Sequence, residues 1–296
     1  MKNVNKTIFK GVCTALITPF KDGKIDYESL KSIIEFQIEQ GVDALLINGT
    51  TGESATLSEN EKQEIISFTA HEVGGRVPII AGTGSNCTQK AIELSKFAHE
   101  VGVDAILVVT PYYNKASAEG LIEHYEKIAN NVEVPLIIYN VPSRTGVNIP
   151  LSVYDQLANH KNIVAVKEAS PSISDFAKLS QKCSERLVLY SGNDDLIMPA
   201  LALGGDGVIS VLSNVLPKEV GEICKLWFAG KTKEAAALQL QLLPLINAIF
   251  SEVNPIPIKA IMSHKGFCDE EYRLPLCPLN AEKKKALLET FDSFKF

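Results

Sequence analysis

The chain has 296 residues, of which 46% are hydrophobic and 22% charged, with a formal net charge of −6 and a pI near 5.5. That composition excludes a disordered chain, and the acidic balance argues against a nucleic-acid binder or a protein held on anionic membranes by charge alone. The length is compatible with one domain or two, because α/β barrels pass 200 residues as a single unit, and a chain this long buries a core without disulfides or metals.

No apolar run approaches the roughly 18 residues of a membrane span. The N-terminal stretch MKNVNKTIFKGVCTALITPF lacks a signal-like apolar segment ending in small residues. Cys13, Cys87, Cys183, Cys224, Cys268 and Cys277 are scattered without a CxxC pair. Free thiols in a reducing cytoplasm are therefore expected, rather than a zinc site or a disulfide framework.

Along the chain, short β-rich apolar runs alternate with longer amphipathic ones. Strands are predicted over 12–18, 44–47, 78–83, 105–109, 136–139, 163–168, 187–191 and 207–211. Several are apolar almost throughout, as in strands buried on both faces of a parallel sheet. Helices are predicted between them, over 27–40, 58–73, 88–101 and 118–131. The first carries Leu30, Ile33, Ile34 and Ile38 on one stripe before Gly41, and the second opens on a capping-box pair, Ser58 and Glu61. Val42-Asp43-Ala44 and Val103-Asp104-Ala105 each follow a helix-ending glycine, and Gly205-Asp206-Gly207 is a looser copy. Eight such units predict an α/β fold, a (β/α)8 TIM barrel, over residues 1–229. A doubly wound sheet competes poorly, since the Gly-rich first turn is missing. Residues 230–296 are predicted as a C-terminal helical extension, with helices over 232–250 and 281–294.

In such a barrel, functional groups sit at the C-terminal ends of the strands. Strand two is followed by Gly49-Thr50-Thr51-Gly52-Glu53, which is either an anion cradle of hydroxyls and amides or a plain turn into a helix. Strand four is followed by Tyr112-Tyr113-Asn114, an aromatic pair suited to a rim or an interface. Strand five ends in Tyr139 with Arg144 close behind. These offer a proton carrier and a carboxylate fork, or else a core cap and a surface ion pair.

Strand six holds the sharpest feature, Val166-Lys167-Glu168. Burying an unpaired ammonium is costly. The residue is thus a lysine snorkelling at the rim, or a desolvated amine that condenses with a carbonyl to form a Schiff base. Glu168 points to the opposite face by strand alternation. Asp194 and Asp195 after strand seven read as helix caps. The five histidines (His71, His99, His124, His160, His264) fall away from strand ends, which disfavours a histidine triad or metal site. Amine, hydroxyls, anion cradle and arginine together suit Schiff-base chemistry on a keto acid, with no metal or dissociable cofactor.

GTTGE at 49–53, YYN at 112–114, YNVPSRT at 139–145, VKEAS at 166–170, SGND at 191–194 and NPIPIK at 254–259 make the chain resemble the dihydrodipicolinate synthase family of pyruvate-dependent class I aldolases. The resemblance runs from about Gly11 to the C-terminal helices. It implies a lyase that condenses pyruvate with L-aspartate 4-semialdehyde on the route to diaminopimelate and lysine. It implies that Lys167 forms the Schiff base, and that Tyr139, Thr50 and Tyr113 relay protons, Tyr113 reaching the site of a neighbouring subunit. Thr51 and the backbone at Ile209 would hold the pyruvate carboxylate, Arg144 that of the semialdehyde, and Gly192 would flank the pocket. A cytoplasmic homotetramer, a dimer of dimers, is implied as well.

Family members inhibited by lysine bind it at positions matching Ser54, Ala55, Glu59, Lys62, Asn86, Lys90 and Tyr112. There a histidine stands at the position of Lys62 and a glutamate at that of Lys90. Two cations facing a cationic ligand imply weak or absent lysine feedback here. The rival readings are an N-acetylneuraminate lyase or keto-deoxy-sugar-acid aldolase, and a non-catalytic keto-acid-binding barrel. Thr50-Thr51 with Arg144 counts against the first. The full set of Lys167, Tyr139, Thr50 and Tyr113 counts against the second.

Overall fold

Residues alternate across each strand, so an apolar run in a parallel sheet fills two cores at once. The computed structural model of the chain, which describes residues 7–294, shows both. Eight parallel strands close into a barrel: β1 (Gly11–Ala15), β2 (Ala44–Ile47), β3 (Ile79–Gly82), β4 (Ala105–Val109), β5 (Leu136–Asn140), β6 (Ile163–Glu168), β7 (Val188–Ser191) and β8 (Gly207–Ser210). Closure is made by β1, which pairs with β8 through Cys13 and Ile209 and with β2 through Cys13 and Ala44. Cys13, Ala15, Leu46, Leu107, Ile137 and Tyr190 belong to the core inside the barrel. Val12, Leu45, Ile106, Ile138 and Val166 belong to the larger core between strands and helices. The fold is the predicted (β/α)8 barrel: three strands keep the predicted bounds, and the others differ by one to three residues at their ends, most of them shorter where the ladder stops.

The outer ring is α1 (Tyr27–Glu39), α2 (Glu59–Val73), α3 (Thr88–Val101), α4 (Ala118–Ala129), α5 (Leu151–Leu157), α6 (Ile173–Cys183), α7 (Ile197–Ala202) and α8 (Pro217–Phe228). The capping box at Ser58 and Glu61 is formed, and α3 ends on Gly102 at φ 90°. The repeated V-D-A acquires a physical role. Asp43 accepts the amide of Val12 at 2.9 Å, and Asp104 accepts that of Ile79 at 2.8 Å. Each carboxylate thus ties the bottom of its own strand to the strand beside it.

Three helices follow the ring: α9 (Thr232–Ile249), α10 (Ile256–His264) and α11 (Ala281–Ser293). The middle one was not separable in the sequence, because it is short, buried on nearly all sides and has a proline in its first turn. A two-stranded hairpin at Phe20–Lys21 and Lys24–Ile25 was also missed, being too short for a periodic signal. The predicted division at 229/230 falls between α8 and α9, and its outermost residues, 1–6 and 295–296, lie outside the described residues. Among the described residues, no helix is long and apolar enough to cross a membrane.

Candidate active site

The centre of the site is set by strand register. Tyr139 on β5 pairs with Lys167 on β6, which pairs with Tyr190 on β7. Lys167 is only 6% exposed and Tyr139 7%, and the Lys167 ammonium lies 4.3 Å from the centre of the Tyr139 ring. Below them Phe9 stacks on Tyr190 at 4.1 Å, closing the barrel interior. Glu168 turns the other way, as alternation predicts. Its carboxylate accepts both from Asn140 Nδ2 (2.9 and 3.0 Å) and from the Ser170 amide (2.7 Å), and Tyr154 donates at 3.2 Å. Burial pushes the Glu168 carboxyl up from its ordinary value, and those four hydrogen bonds pull against the rise.

A cavity of about 190 Å³ opens above Lys167, lined by Thr50, Thr51, Tyr139, Arg144, Gly192 and Asn254. Gly192 follows β7, where a Cβ would stand 2.6 Å from the Ala169 Cβ and 3.1 Å from the Lys167 Cε. Only glycine leaves that lysine its place. Arg144 sits on the one-turn helix Pro142–Thr145, and its Nη2 donates to the Asn254 carbonyl at 3.2 Å. Thr51 is buried, and its Oγ1 accepts from Asn254 Nδ2 at 3.0 Å. Two of the sequence candidates do not line this cavity. Ile209 is fully buried within the inner core. Tyr113 is 91% exposed and stands outside, at φ 69°.

One reading is corrected. Asp194 caps no following helix. Its buried carboxylate accepts from Ser210 Oγ at 2.5 Å and from the amides of Val211 and Leu212 at 3.0 and 3.3 Å, so it holds the turn after β8. Burial raises its carboxyl from the ordinary range. Two contributions were missed. Asn254 bridges Thr51 and Arg144. Lys259 forms a fully buried ion pair with Glu53 and donates to the Glu271 carbonyl at 2.9 Å. Both come from the NPIPIK segment, about 200 positions from Thr51 and Glu53, and only the motif itself could have flagged them.

A larger cavity of about 510 Å³ adjoins the first, sharing Thr50, Arg144 and Asn254. All seven effector positions line it: Ser54, Ala55, Glu59, Lys62, Asn86, Lys90 and Tyr112. Lys62 is paired with Glu59 at 3.1 Å. Among the described residues, no group of three His, Cys, Asp or Glu side chains is placed to hold a metal ion.

The Dihydrodipicolinate synthetase family matches residues 8–293. The chain belongs to this family. Among its members, the 4-hydroxy-tetrahydrodipicolinate synthase of Clostridium novyi is 47% identical over 97% of this chain and 98% of its own. The crystal structure of dihydrodipicolinate synthase from Aquifex aeolicus superposes with a TM-score of 0.95 at 43% identity, covering 96% of this chain and 98% of that one. The chloride-inhibited enzyme of Acinetobacter baumannii, complexed with pyruvate, superposes at 0.94 with 41% identity, covering 97% and 98%. Membership in the dihydrodipicolinate synthetase family accounts for the barrel and for the motifs that meet at its mouth.

Proposed function

We propose that the chain is a 4-hydroxy-tetrahydrodipicolinate synthase, a class I aldolase-type lyase acting on pyruvate and L-aspartate 4-semialdehyde in lysine and diaminopimelate biosynthesis. The observation that carries the reading is a lysine buried in a strand of the barrel with its ammonium over the ring of Tyr139. Once the Lys167 ammonium has given up a proton, its neutral Nζ adds to the carbonyl carbon of pyruvate and water leaves, giving an iminium. The iminium withdraws electrons, so the methyl group loses a proton and becomes a carbon nucleophile that attacks the aldehyde. The semialdehyde's amine then closes the ring and releases Lys167.

Tyr139 and Thr50 carry protons, joined by Tyr113 of a neighbouring subunit, a role in keeping with a tyrosine 91% exposed on its own chain. Thr51 and the Ile209 backbone hold the pyruvate carboxylate, Gly192 flanks it, and Arg144 takes the carboxylate of the semialdehyde. No dissociable cofactor takes part. The working form is a cytoplasmic homotetramer, with a catalytic barrel over 1–229 and a helical extension over 230–296. The test is turnover of pyruvate plus aspartate 4-semialdehyde, coupled to the next reductase. Consumption of both substrates is the expected result. Cleavage of a sialic acid without such consumption would assign the chain to the lyase rival.

A further inference from the structure

Thr51 carries an unusual hydrogen-bond balance. Its side chain is 2% exposed, and its Oγ1 accepts from Asn254 Nδ2 at 3.0 Å. Among the described residues, the Thr51 hydroxyl donates to no acceptor. A hydroxyl rotates to suit its partners. With one lone-pair direction taken by the amide, the hydrogen is steered away from Asn254. Thr51 also lines the 190 Å³ cavity beside Lys167. A buried donor without an acceptor is costly, unless a ligand or water accepts from it.

Asn254 makes a second bond of a different kind. Its backbone carbonyl, not its side chain, accepts from Arg144 Nη2 at 3.2 Å. The residue is 6% exposed and enters the site from the segment between α9 and α10. One residue therefore touches both groups assigned to carboxylates, through chemically separable atoms.

We infer that Asn254 is a positioning residue that fixes the Thr51 hydroxyl as a hydrogen-bond donor toward the carboxylate of the keto acid, while its backbone carbonyl independently orients Arg144. The inference rests on the proposed function. It makes pyruvate affinity depend on the direction of one hydroxyl. Replacing the amide by an isosteric carboxylate reverses that direction, because an ionised Asp accepts from Thr51 and withdraws the donor from the cavity. Arg144 keeps its partner, since the backbone carbonyl remains.

The test uses the full-length enzyme and its N254D, N254A, T51V and N254D/T51V variants. The pyruvate concentration giving half-maximal borohydride trapping on Lys167 is measured at pH 8, together with KM for each substrate. Far-ultraviolet circular dichroism and thermal melts establish that each variant folds. N254D is expected to need about tenfold more pyruvate or above, with KM for the semialdehyde changed by less than about twofold. T51V is expected to match it, and the double variant to lose no more than T51V alone, because both act through one hydroxyl. N254A, which frees the hydroxyl without reversing it, is expected to fall between wild type and N254D. Wild-type pyruvate affinity in N254D would overturn the inference. So would equal losses for both substrates, or additive losses in the double variant. If N254D does not fold, N254A and N254A/T51V decide: a rise in pyruvate requirement in N254A that adds nothing when combined with T51V supports the inference, and no rise, or an additive one, overturns it. Failure of wild-type enzyme to trap pyruvate at all would instead strike the proposed function.

Discussion

Lys167 was legible because it breaks a rule: an ammonium continuing an apolar strand demands a reason. Its place opposite Tyr139 was not legible, because cross-strand register is set by pairing rather than by spacing. Arg144 could be located but not oriented, since its bond to the Asn254 carbonyl crosses 110 positions. Arg144 lines both the cavity at Lys167 and the larger one that adjoins it, so its planar fork suits the second substrate's carboxylate rather than the first's. Arg144→Ala should therefore raise KM for the semialdehyde, or lower turnover, by tenfold or more, while trapping of pyruvate on Lys167 changes little. Equal loss of both in the two assays would contradict that division of labour.

At the scale of elements, the loop between β2 and α2 is held from outside the barrel. Glu53 sits at φ 53°, paired with the buried Lys259 of α10. Burial pulls the Lys259 ammonium down from its ordinary value, and the Glu53 charge pulls it back. Lys259→Met would leave Glu53 buried without its counter-ion, a loss of about 3–5 kcal/mol. Adding Glu53→Gln should recover much of it, as read by denaturant unfolding.

A second element contact predicts acid sensitivity. His124 on α4 is 5% exposed and bonded to Thr88 Oγ1 of α3 at 2.9 Å. Burial pushes its imidazole down to about 4 from the ordinary 6.5. The unfolded chain takes up this proton near 6.5 while the folded chain holds it off to about 4. Stability is thus retained above 6.5 and lost as pH falls across that window, by up to roughly 3 kcal/mol. Thermal melts from pH 7.5 to 4 should show the drop, and His124→Gln should flatten it. Neither contact could be read in advance. The helix that carries His124 was visible by periodicity and α10, which carries Lys259, was not, and which polar groups meet between elements depends on packing.

At the scale of the whole molecule, the barrel was readable because eight short β-rich runs, several of them apolar almost throughout, alternate with amphipathic ones, and three bottom aspartates mark a repeat. The C-terminal extension was readable as helical, but not as a supplier of Asn254 and Lys259 to the site. The larger cavity adds a regulatory prediction. Lys90 and Lys62 both line it, although Glu59 offsets part of the Lys62 charge. A cationic effector meets like charge there, so millimolar lysine should leave activity within about twofold of the uninhibited rate. Strong inhibition in that titration would refute the reading.

The central claim is that Lys167 is the amine that condenses with pyruvate. Incubation with pyruvate and borohydride, followed by peptide mapping in a mass spectrometer, tests it most directly. The account predicts one reduced pyruvate adduct, on Lys167, absent from Lys167→Ala. A protein left unlabelled, or labelled on another lysine, would contradict it.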